Sequence, residues 1–192
     1  MAPRTTAAAG RPLPTLVGAV RALDVALASE MLAASVADAP NPACAVDAEG
    51  QTLLHHCVEV LRASDSCSEG EQMVKLLLSA GATVTVANSF GEPPLTLAVR
   101  AVALPTQGSA APGAGSQRLA AVQRLLEARA VVDAADSFAG ETPLMEAACN
   151  GDAELCRLLL DYRADPARQS FVGRVACDFA EHLASERPEL ML

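Results

Sequence analysis

The stretch GETPLMEAACNGDAELCRLLLDYRADP, residues 140–166, divides into two halves. The first opens on Thr142-Pro143-Leu144, where a threonine hydroxyl caps a helix and a proline takes the first helical position, whose N–H would go unbonded anyway. The second places Leu155, Leu158 and Leu159 at the i, i+3, i+4 spacing of one helix face, with Arg157 and Asp161 pointing away. This reads as a short helix followed by a second, antiparallel one. Such a pair cannot bury its apolar side alone, so it needs neighbours of the same kind.

Fainter copies lie upstream. GEPPLTLAVRA at 91–101 is resumed by LAAVQRLLEARAVVDAAD at 119–136, and GQTLLHHCVEV at 50–60 by EQMVKLLLSAGATVTVAN at 71–88. Between units lie DSFAGE and NSFGE, whose Asp, Asn, Ser and Gly favour tight turns. Residues 140–164 resemble the ankyrin repeat, G-x-T-P-L-H-x-A-A-x-x-G followed by V-x-x-L-L-x-x-G-A, and the resemblance extends over most of the chain. It implies an all-α solenoid of about five stacked helix-turn-helix units with hairpin turns between them, at 13–46, 47–87, 88–135, 136–168 and 169–192. The outer two are degenerate caps, because one face of each meets water. Residues 1–12 are expected to form a flexible tail.

Gly140 to Gly173 spans 33 residues, the length expected of this repeat, whereas Gly50 to Gly91 spans 41 and Gly91 to Gly140 spans 49. The excess of 8 and 16 residues falls mainly in a polar stretch at 62–70 and a Gly/Pro/Ser/Ala-rich one at 104–117. Both interrupt the link between the two helices of a unit and read as surface loops. In ankyrin-like stacks that link is remote from the hairpins, so the insertions leave the core and the groove intact.

The composition fits this reading. At 51% hydrophobic the chain can bury a core, yet aromatics are only 3% and Trp is absent, as suits Ala/Leu interfaces between close helices. A net charge of -9 repels phosphate backbones and anionic lipids, so neither nucleic acid nor a membrane is an expected partner. Arg21, Asp24 and Glu30 interrupt the most apolar N-terminal stretch before it reaches membrane-spanning length, and a soluble protein is expected. Six scattered cysteines without a C-x-x-C pair read as reduced thiols of an intracellular protein, cytoplasmic or nuclear. The Arg-, Ala- and Thr-rich start, whose first acidic residue is Asp24, also has the composition of a mitochondrial presequence.

Little in the chain resembles catalytic chemistry. Nucleotide-binding, zinc-protease and serine-hydrolase motifs are absent, and no enzyme activity, cofactor or metal is expected. His55, His56 and Cys57 could form a metal or nucleophile cluster. The resemblance instead gives His55 the T-P-L-H position, which ties neighbouring turns together, and puts Cys57 where a small buried Ala is usual. Cys149 and Cys156 are expected in the core.

Three of the four phenylalanines, Phe90, Phe138 and Phe171, recur at the turn between units. They read either as a row of aromatic anchors for a partner or as rings that pack on adjacent hairpins and stiffen the row. The resemblance implies recognition by hairpin tips and the exposed face of each first helix. The candidate partner-binding residues are therefore Glu49, Phe90, Phe138 and Phe171 on the turns, with His56, Glu59, Arg100, Glu146 and Asn150 on the helices. The glutamates favour a partner with a basic or mixed-charge surface. The expected function is a non-catalytic protein-binding adaptor or assembly subunit, monomeric alone; the alternative is a regulatory factor in a nuclear or DNA-associated complex.

Overall fold

The computed structural model describes residues 13–34, 41–63, 68–100 and 114–186. The predicted tail at 1–12 lies outside the described residues. Among these residues the chain forms nine α-helices: α1 (Leu13–Arg21), α2 (Val25–Ala33), α3 (Leu53–Ala63), α4 (Ser68–Ser79), α5 (Pro94–Val99), α6 (Ala114–Glu127), α7 (Pro143–Cys149), α8 (Ala153–Asp161) and α9 (Ala176–Glu186). None is long and apolar enough to cross a membrane.

The helices form two layers. The first helices of each unit, α1, α3, α5, α7 and α9, pack in sequence, and α2, α4, α6 and α8 form a second row behind them. Leu54, Leu95 and Leu144 occupy the same inward position in α3, α5 and α7, and Leu77, Leu125 and Leu159 do so in α4, α6 and α8; all six are buried. Each such leucine contributes roughly 1.5–3 kcal/mol of burial free energy. Because one unit covers the next, the core is a continuous strip along the stack and not a central ball.

Local chemistry sets where the helices begin and end. Thr142 caps α7 by accepting from the Met145 N–H, and Asp152 caps α8 by accepting from Leu155. Three second helices share one ending: Ala82, Ala130 and Ala164 donate to Leu77, Leu125 and Leu159, five residues back, while Gly81, Arg129 and Arg163 donate three residues back. This hydrogen-bond pair requires a left-handed residue, with φ of 83°, 65° and 67° respectively. Only the first of the three is glycine, so the other two units tolerate a strained arginine.

The helices enter both predicted insertion loops. Arg62 and Ala63 belong to α3, residues 68–70 to α4, and residues 114–117 to α6. At α4 the reason is visible in Glu69 and Glu71, whose charge in the first turn favours the positive helix end. The remainder of the two loops lies outside the described residues.

Candidate functional site

The hairpins between units are built alike. Asp47, Asn88 and Asp136 each turn a side-chain oxygen onto backbone N–H groups two to four residues ahead, and the Ser170 hydroxyl accepts from Arg174. Neighbouring hairpins are then linked in a row. Ser89 donates its backbone N–H and its hydroxyl to the Glu49 carbonyl, the Ser137 hydroxyl donates to the Phe90 carbonyl at 2.9 Å, and the Phe171 N–H donates to the Ala139 carbonyl at 2.9 Å.

Under the first hairpin the polar groups are mutually satisfied. The Thr52 N–H donates to His55 Nδ1 at 3.0 Å, so the ring carries its hydrogen on Nε2 and donates it to the Glu92 carbonyl of the next hairpin at 2.9 Å. Burial first, then the neighbouring His56, pushes the His55 imidazole down to about 4. Protonating Nδ1 would also cost the Thr52 hydrogen bond. Thr96 takes the equivalent place in the next unit and donates to the Ala134 carbonyl at 3.0 Å.

His56 departs from the sequence expectation. It is not on an exposed helix face but 2% exposed, with Arg21 donating to Nδ1 at 3.2 Å and Nε2 donating to Asp47 at 3.0 Å. The unit that precedes it, α1, covers this face and supplies the arginine. Cys149 also departs, lying exposed at the end of α7, whereas Cys57 is buried as expected.

The second and third hairpins enclose a different environment. Arg100, at the end of α5, pairs with Glu92, with Asp136 at 3.2 Å and with Glu146 at 2.9 Å. Glu141 lines the same cavity and has no ion-pair partner among the described residues. One carboxylate oxygen from each of Asp136, Glu141 and Glu146 lies within 4.8 Å of the others. Four carboxylates thus face one guanidinium in a cavity of about 810 Å³. Burial, and then the Glu146 and Asp136 carboxylates, push the Glu141 carboxyl above the usual range.

Phe90 and Phe138 flank this cavity, 69% and 94% exposed. Phe171 is 72% exposed but its ring lies against Gly140, whose φ of 69° and missing Cβ leave room for it; a Cβ there would come within 2.5 Å of the ring. Of the nine sequence candidates, Phe90, Phe138, Arg100 and Glu146 meet at one place. Glu49 and Glu59 are exposed on the first hairpin and on α3, and Asn150 caps the end of α7, with its buried Nδ2 unbonded among the described residues. Sequence reasoning passed over Glu92, Asp136 and Glu141. The available signal was Gly-Glu at 91–92 and again at 140–141, one unit apart, which stacking brings together.

Two parallel rows of helices with a ladder of linked hairpins define a helical-repeat solenoid. An ankyrin-repeat family model matches residues 49–89 and 139–170, the segments built on α3/α4 and α7/α8, so the chain contains ankyrin repeats. No curated protein matches the chain. Ankyrin repeats are in general modules of protein–protein interaction and are typically not catalytic.

Proposed function

We propose that the chain is a non-catalytic adaptor or assembly subunit that holds a partner protein along its second and third hairpins. The observation that carries this reading is the pair Phe90 and Phe138, fully built into adjacent turns yet largely exposed at the mouth of an acidic cavity. In a chain with only four phenylalanines, two rings left in water cost hydrophobic free energy that a partner would recover. Rigid aromatic area gives much binding energy for little lost side-chain entropy, and the surrounding carboxylates favour a partner of basic or mixed charge.

The test is affinity purification on the intact chain and on the double variant Phe90→Ala/Phe138→Ala. The reading requires proteins enriched by the intact chain to be lost by the variant while the thermal midpoint stays within a few degrees. Undiminished capture, or a variant that no longer folds, would count against a recognition role for the two rings.

A further inference from the structure

We infer that the cavity between the second and third hairpins receives one arginine side chain of the partner, its guanidinium paired with Glu141 and flanked by the Phe90 and Phe138 rings. This rests on the adaptor reading and narrows it to one residue type. The first argument is charge. Glu92, Asp136, Glu141 and Glu146 line the cavity with Arg100, whose lining residues carry a formal excess of three negative charges in a partly enclosed space, while Arg174 acts on Glu141 from outside that lining. Asp136 and Glu92 are both held below a tenth of their exposure, so water screens them poorly.

The second argument is that this cavity already binds a guanidinium. Arg100 spans three of the carboxylates with three different nitrogens, each a charge-assisted hydrogen bond. Glu141 is left over, and Arg100 bonds Glu146 through a single oxygen, Oε1. A second guanidinium can bridge Glu141 and that remaining Glu146 oxygen. The third is the rings: a planar, weakly hydrated cation stacks on aromatic faces, whereas a lysine ammonium is a compact, strongly hydrated point charge without a planar face to lay on a ring. A divalent cation drawing on Asp136, Glu141 and Glu146 would compete for Asp136, whose Oδ1 already accepts three backbone N–H groups and whose Oδ2 pairs with Arg100.

The probe is a capped Gly-Arg-Gly tripeptide titrated into the isotope-labelled intact chain by NMR, beside its citrulline and lysine counterparts and calcium chloride. Arginine is expected to bind at millimolar concentration and to shift the Phe138, Ala139 and Gly140 amides, which all donate to Asp136. Citrulline, the same shape without the charge, is expected to bind about tenfold more weakly, and lysine to fall between. Glu141→Gln is expected to weaken the arginine peptide about tenfold, while Glu154→Gln, on the exposed side of α8, leaves it unchanged.

The inference is overturned by equal binding of arginine and citrulline, by indifference to Glu141→Gln, by no arginine response at millimolar concentration, or by calcium alone shifting these amides. If it falls while Phe90→Ala/Phe138→Ala still abolishes partner capture, the adaptor reading survives without it. If capture withstands the double variant too, both fall.

Discussion

The first hairpin and the space between the second and third are made from the same repeat, yet their charges are arranged to opposite ends. Under the first hairpin each polar atom meets a complement: Thr52 with His55, His55 with the Glu92 carbonyl, and Arg21, His56 and Asp47 in a chain where one positive side chain is balanced by one negative. The cavity there is about 380 Å³. One repeat further on the cavity is about 810 Å³, and carboxylates outnumber the lone guanidinium. Identical backbone scaffolding therefore does not dictate use. Closure of the polar network makes a joint, and leaving it open is what the proposed receptor role requires.

The sharpest way to break this contrast is His55→Ala. It removes the link to Glu92 and strands the Thr52 N–H and the Glu92 carbonyl in the interior, at an expected cost of about 3 kcal/mol in urea unfolding. A loss under about 1 kcal/mol would mean that the first hairpin is not a structural joint.

A pH series follows at similar size. His55 titrates near 6.5 when unfolded but at about 4 when folded, so between those values the unfolded chain binds the extra proton. Its contribution, up to about 3 kcal/mol, is fully present above the unfolded value and is lost as pH falls towards 4. Glu141 has the opposite sign. Its carboxyl is raised, facing Glu146, Asp136, Arg100 and Arg174, so its ionisation weakens the fold as pH rises through its titration. Urea midpoints of the intact chain and of His55→Ala across this range separate the two, and the His55 slope should vanish in the variant.

Smaller effects sharpen the other side. Phe90→Ala/Phe138→Ala should change folding stability by less than about 1 kcal/mol, because exposed rings contribute little to the folded state, while partner capture is lost. Smallest of all, Glu141→Gln should leave stability unchanged or raise it by a few tenths of a kcal/mol, relieving like-charge repulsion that solvent already screens. A clear destabilisation would show Glu141 to be a structural partner and not a spare carboxylate.

The fold was legible because its determinants are local and periodic. Thr142-Pro143-Leu144 and the Leu155, Leu158, Leu159 face announce a helix pair, and the recurrence of Leu54, Leu95 and Leu144 announces stacking. Three things were not legible. The partners of His56 lie 35 and 9 residues away, so its burial emerges only once α1 covers α3. At α4 the helix runs into the predicted loop because Glu69 and Glu71 favour an early start. The acidic cavity draws its carboxylates from two hairpins and α7, and of the four the sequence reading singled out Glu146 alone, because only stacking brings the others to it.

The hairpins also bear on how the molecule deforms. Each is fastened to the next by one or two hydrogen bonds, and at the arginine cavity the tie between turns includes the Ser137 hydroxyl held to Phe90. Such a row is a strap of short links, each joined to the next by few bonds. The proposed partner, seated between the second and third links, would therefore bear on the spacing of the strap at that point.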